Sequence, residues 1–237
     1  MTLTLLSSGP FCHVNTSDTS SPAALTVPTN ALVIVGVQVA FTGSNTSATF
    51  LPQDFGGNKW ALAESVSSGD ARRYTKWYYL KARMSISDTL SWPITDPNAV
   101  VTDAAPYYFV FSGGNVNTDY SAWPPGETTG NIAAVTGSSA SQTITVPSQT
   151  ASVPNSRFLS HVVTFGAASV TSQLYAWTRT GGGICGAMAM TSTLALGASY
   201  SLSATRTGGT GLPWYGSTIE ILPDDGKPPL VGWGSGW

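Results

Sequence analysis

Ala31-Leu-Val-Ile-Val-Gly-Val-Gln-Val-Ala40 is the stretch that decides the fold. It is almost continuously apolar and rich in β-branched side chains. A strand with one wet face alternates apolar and polar residues, so a run without that alternation predicts a central strand covered on both faces. The run has about half the length of a membrane-spanning helix and is broken by Gly36 and Gln38, so membrane insertion is not expected of it.

Working outward, strand-like runs recur between turn residues along the whole chain. Leu3 and Leu5, then Leu25 and Val27, alternate with threonine. Asp54-Phe-Gly-Gly-Asn-Lys-Trp60 reads as a tight turn, its glycines supplying positive φ and Trp60 beginning the next strand. Further strands are expected within residues 73–82, 89–94, 107–111, 142–147, 158–165, 174–178, 187–190, 199–205 and 214–221, with a weaker one at 45–51. Residues 61–70 are read as at most one helical turn, and 112–130 as a long Gly/Pro/Asn-rich surface loop. Val33, Val35, Trp60, Trp77, Phe109 and Phe111 are the expected core.

The composition agrees. Hydrophobic residues make up 42% of the 237, enough for a sizeable core. Strong helix formers are scarce: Glu occurs only at Glu64, Glu127 and Glu220, and Lys only at Lys59, Lys76, Lys81 and Lys227. A helical bundle and a doubly wound α/β fold are therefore excluded. Charged residues are 9%, against roughly 25% in an average soluble protein. With 10 basic and 12 acidic side chains there is no basic footprint for nucleic acid. The expected fold is all-β, a two-sheet antiparallel sandwich forming one domain over residues 1–222. Pro223-Asp-Asp-Gly-Lys-Pro-Pro229 breaks the pattern, and residues 223–237 read as an arm leaving the domain. Leu230, Val231, Trp233 and Trp237 of that arm are candidate partner-binding residues. No basic, apolar leader opens the sequence, so synthesis in a cytosol is expected, with Cys12 and Cys185 as small buried thiols.

The order of motifs resembles a family of phage-encoded, concanavalin-like jelly-roll virion proteins. The residues that carry the likeness are the central run Ala31 to Ala40, the turn Asp54-x-Gly-Gly-Asn-x-Trp60, Trp77-Tyr-Tyr-x-Lys81, Phe109-Val-Phe-Ser-Gly113 and Ile219-Glu-Ile221. The likeness covers roughly residues 2–222. It departs in the Pro-rich stretch after Gly113 and in the Trp-rich arm. It implies a jelly-roll sandwich located in the virion: a minor tail or tail-tip protein, with a capsid decoration or head-spike protein as the alternative. The implied partners are other virion proteins and copies of itself, with a host cell-surface glycan as a further ligand. These motifs govern packing and turns, so they specify a fold more than an activity.

Reactive chemistry is sparse. His13 and His161 are the only histidines, and no Cys-x-x-Cys or His-x-His spacing occurs, so neither a metal centre nor another cofactor is expected. Asn115, Asn117 and Asp119 place three oxygen donors at alternate positions, the one weak calcium pattern, and read better as a polar loop. No serine stands in a Gly-x-Ser-x-Gly elbow, and nothing marks a carboxylate pair, so no enzymatic activity is expected. His161, within an apolar run, reads as a satisfied, half-buried residue. Arg72, Arg73, Lys76, Lys81 and Arg83 cluster among Tyr74, Trp77, Tyr78 and Tyr79. The favoured reading is one polar strand face alternating with an aromatic core face; the alternative is contact with a ligand or an acidic neighbour. Against the structural role stands a carbohydrate-binding module, for which the eight Trp and nine Tyr would supply stacking faces.

Overall fold

The computed structural model describes residues 3–11, 14–15, 22–42, 54–67, 73–91, 100–116, 135–138, 143–145, 148–165, 169–171, 175–178, 184–201, 203–207 and 213–224. Among them there is no helix; every regular element is a strand. The expected strand at 45–51 lies outside these residues.

Two six-stranded antiparallel sheets dominate. In the first the order is Thr4–Pro10, Val100–Ser112, Leu32–Thr42, Arg73–Lys81, Ala61–Ser67, with Val14–Asn15 also pairing on Val100–Ser112. In the second it is Val135–Ser138, Pro213–Pro223, Arg157–Phe165, Ile184–Met190, Tyr175–Thr178, with Gly114–Val116 also pairing on Pro213–Pro223. Three smaller sheets join Ala23–Val27 to Ile86–Leu90, Gln149–Thr150 to Ser199–Tyr200, and Thr143–Thr145 through Ser203–Thr207 to Ser169–Thr171.

Leu32–Thr42 is the middle strand of the first sheet, and both of its faces are buried, which is why its sequence does not alternate. Leu32 and Ile34 face the second sheet. They pack with Trp77, Phe109 and Phe111 of their own sheet against Leu159, Met188, Ile219 and Ile221. Val33, Val35 and Val37 face the other way, under Leu25, Val27, Ile86 and Leu90 of the two-stranded Ala23–Val27/Ile86–Leu90 sheet, with Phe11 and Phe55 completing the cover. Three layers result, with two apolar clusters on either side of one sheet. Each large side chain so buried contributes about 1.5–3 kcal/mol.

The Gly pair makes the expected turn. Phe55 and Asn58 exchange backbone hydrogen bonds of 3.1 and 3.0 Å around Gly56 and Gly57, whose φ values are 56° and 73°. This is the positive-φ pair that a two-residue hairpin turn requires. Gly56 N also donates to Asp88 Oδ2 at 2.8 Å, which fixes the turn to the Ile86–Leu90 strand.

Three expectations are corrected. Ala61–Ser67 is an edge strand rather than a helical turn; a register shift between Leu62 and Glu64 breaks the alternation that would have marked it. Trp60 precedes that strand and is half-buried, packed beside Phe55 at 6.4 Å between ring centroids, rather than in the core. The polar stretch after Ser112 begins with a strand, Gly114–Val116, because Gly113 (φ 64°) turns the chain out of the first sheet and onto the edge of Pro213–Pro223 in the second.

Candidate functional site

The most chemically loaded place in the molecule is a polar seam buried between the two large sheets. Period two puts Gln38, Thr75 and Trp77 on the inner face of the first sheet, and the pairing register sets His161 opposite Ser217 in the second. All five are fully buried. The Trp77 indole stacks on the His161 ring with centroids 4.3 Å apart and planes 23° from parallel. Trp77 Nε1 donates to Ser217 Oγ at 3.0 Å, and the same hydroxyl shares a 2.6 Å hydrogen bond with His161 Nε2. Gln38 Nε2 donates across the seam to the carbonyls of Val162 (3.1 Å) and Ala187 (3.3 Å). The sheets are therefore joined by directional bonds as well as by apolar packing.

A serine hydroxyl 2.6 Å from a histidine nitrogen has the spacing of a nucleophile and its base. Among the described residues the seam holds no third member of such a centre. Among the described residues His161 Nδ1 has no hydrogen-bond partner, and no carboxylate orients the ring. One lone pair of Ser217 Oγ is taken by the indole, and neither residue meets solvent. Burial alone drives the His161 pKa down to about 3, which keeps the ring neutral. In this geometry the pair, both members of the second sheet, forms the seat on which Trp77 of the first sheet is held.

A second polar layer lies on the outer face of the second sheet, beneath residues 149–156 and 191–201. Glu220, buried, accepts from Ser152 N (2.8 Å) and Ser152 Oγ (2.6 Å). Ser160 and Thr218 hydroxyls are 2.6 Å apart, and Phe158 stacks on Tyr200 at 6.0 Å. The Ser152–Glu220 and Phe158–Tyr200 contacts fasten the covering segments to the sheet, while the Ser160–Thr218 bond lies within it.

The basic stretch does not form one surface. Lys76 and Lys81 stand five residues apart on the Arg73–Lys81 strand and so fall on opposite faces. Lys76, half-buried on the face of Tyr78 and Leu80, has its pKa lowered by burial. On the same face, burial pushes the Tyr78 phenol up to about 12. The reading of one polar face alternating with an aromatic core face is thus replaced by a strand covered on both sides. Lys81 lies on the Trp77 face at the end of the strand. Its ammonium donates to Gly114 O at 2.7 Å and to Asp224 Oδ2 at 2.9 Å. Arg83 is exposed in the turn that follows. Arg72 and the side chain of Arg73 lie outside the described residues.

Of the weak calcium pattern, Asn115 is a strand residue paired with Leu222, and Asn117 and Asp119 lie outside the described residues. So do Leu230, Val231, Trp233 and Trp237. Among the described residues no three His, Cys, Asp or Glu side chains gather as a metal site would require. The root of the arm is described: Asp224 pairs with Lys81, and its N–H donates to Gly113 O at 2.5 Å.

Ser217, Gln38 and Asp224 were not marked by the sequence reading. Gln38 carried a signal, as the one polar side chain in the central run. Ser217 and Asp224 carried none, because their roles depend on the register of distant strands.

No family model, curated protein or solved structure matches this chain.

Proposed function

We propose that the chain is a structural subunit of a bacteriophage particle, of the minor-tail or tail-tip kind. It would be built on a jelly-roll sandwich, sit in the virion, and act through contacts with other virion proteins and copies of itself. The observation that supports this most is what the conspicuous residues do. Those that carry the resemblance are used up inside the domain. Trp77, Phe109, Phe111, Ile219 and Ile221 fill the space between the sheets, Gly56 and Gly57 make the hairpin turn, and Lys81 grips Asp224. A residue set of this kind suits a rigid scaffold. Low charge density on a chain with 11% aromatic residues suits a molecule that meets other proteins, since Lys and Glu are depleted and aromatics enriched at such interfaces.

The test is mass spectrometry of purified particles from the phage that encodes the chain. A structural subunit is present at a fixed copy number per particle and survives high-salt washing. Absence from the particles, together with a monodisperse monomer retained on a glycan array, would replace this reading with a free carbohydrate-binding module.

A further inference from the structure

The seam between the sheets leaves two buried polar atoms without a partner among the described residues: Thr75 Oγ1 in the first sheet and His161 Nδ1 in the second. Both residues are wholly withdrawn from solvent. What each atom needs follows from counting donors.

The indole N–H of Trp77 can only donate, so at the 3.0 Å contact Ser217 Oγ accepts. The serine hydroxyl keeps one proton of its own to give. Among the described residues its other partner is His161 Nε2, at 2.6 Å. A neutral imidazole carries one N–H and one bare nitrogen, and burial keeps the His161 ring neutral. If Nε2 carried the proton, it would donate to Ser217 Oγ. The serine proton and the bare Nδ1 would then both go unpaired. If Nδ1 carries the proton, Ser217 donates to Nε2, and the Nδ1–H alone is left over. Buried polar groups are paired with few exceptions, so the arrangement with one orphan wins over the arrangement with two. The unpaired atom in the second sheet is therefore a donor in need of an acceptor.

The register brings Thr75 to the same part of the seam. Thr75 and Trp77 share the inner face of one strand, two residues and so about 6.6 Å apart. The indole carries the His161 ring at 4.3 Å. Gln38, the register partner of Thr75, crosses to the carbonyl of Val162, the residue after His161. Thr75 is thus flanked by two side chains that both reach the strand of His161. A water that accepts one hydrogen bond and gives another spans about 5.5–6 Å between its partners, the scale of one such step along a strand face.

We propose that the seam holds one internal water molecule, which accepts from His161 Nδ1–H and shares a hydrogen bond with Thr75 Oγ1. Internal waters settle where buried polar groups lack protein partners. None of the side chains of Gln38, Thr75, Trp77, His161 and Ser217 carries charge, so the site has nothing to balance an ion. The water is a third polar tie between the sheets, beside Gln38 and the Trp77–Ser217 bond. The water site is independent of the particle role proposed above.

Two measurements on the 237-residue chain test it. Long-range proton–nitrogen correlation spectra at neutral pH report which ring nitrogen of His161 carries the proton. A high-resolution crystal structure shows whether a water oxygen lies within about 3.2 Å of both atoms. Protonation at Nδ1 alone and one such oxygen are expected. Thr75→Ser, which keeps the hydroxyl, should keep the water. Thr75→Val, which keeps the shape, should lose the water and leave the tautomer as it was. Ser217→Ala, which removes the donor to Nε2, should let both tautomers appear. A wild-type ring protonated at Nε2 would overturn the donor assignment and the site with it. Protonation at Nδ1 without a water at the two atoms would overturn the site alone. A water that persists in Thr75→Val would overturn the bridge between the sheets. The two wild-type measurements decide the matter even where a variant fails to fold.

Discussion

Trp77 lies directly over Gly36, its register partner on the neighbouring strand, so closely that a Cβ built on the glycine would stand 2.5 Å from the indole Cζ3. The glycine in the middle of the central strand is therefore the seat of the largest side chain in the core. It weakens the strand intrinsically, since it brings no side chain to pack. What it allows is a flat approach of the indole, which then reaches Ser217 and stacks on His161.

Gly36→Ala is accordingly expected to destabilise the protein, although alanine extends a strand at least as well as glycine. The added methyl meets a ring that is closed in on its other side by His161, so the cost is that of overpacking, about 1–3 kcal/mol. Urea unfolding of the two proteins measures it. A neutral or stabilising result would mean that the indole can shift without loss, and that the Trp77 seat is looser than described.

Trp77→Ala should cost about 3–5 kcal/mol, as other large-to-small core changes do. It also removes the donor to Ser217. Equilibrium unfolding checks the size, and near-ultraviolet circular dichroism should lose part of its aromatic signal. A loss under about 1 kcal/mol is the range of surface substitutions and would place the indole outside the core.

Gln38→Leu tests the cross-sheet amide. The substitution keeps the volume but leaves the carbonyls of Val162 and Ala187 without that donor in a buried seam. A buried acceptor deprived of its partner costs about 1–3 kcal/mol. Chemical denaturation should show a loss in that range. If Gln38→Leu is more stable than the wild type, the amide costs more to bury than its two hydrogen bonds return.

The fold was legible where local pattern and burial agree. Ala31 to Ala40 lacks alternation because the sheet is covered twice, and Gly56-Gly57 supplies the positive φ that its turn adopts. The strand at Ala61–Ser67 was hidden by its own irregularity, a register shift that puts apolar residues out of step. Of the seam, Gln38 and Trp77 stood out in the sequence, but the meeting of His161 with Ser217 did not. His161 and Ser217 are 56 residues apart, and their meeting depends on the register of two strands, which no local pattern encodes in a chain so rich in serine. In the basic stretch an odd spacing separates Lys76 and Lys81 to opposite faces, so the aromatic and basic side chains do not sort into one face each.

His161 makes stability depend on pH in a stated direction. The ring is neutral in the folded protein down to about pH 3, because burial opposes the charge. In the unfolded chain it takes a proton near its ordinary value of about 6.5. Between these two values the unfolded state binds more protons than the native state, so acid favours unfolding. Stability is therefore complete above about pH 6.5. It falls as the pH drops through the window toward about 3, with a slope approaching 1.4 kcal/mol per pH unit from this group. Replacing the ring with a side chain that does not titrate, His161→Gln, should lower stability at pH 7.5 through lost stacking. It should also flatten the decline between pH 6.5 and 5, above the range in which ordinary carboxylates take up protons. His13 is present in both proteins, so the difference between their pH profiles reports His161 alone. Urea midpoints measured at half-unit steps across that window decide the matter. Parallel profiles for the two proteins would mean that His161 gains a proton in the folded state as easily as in the unfolded one, and that the seam is wet.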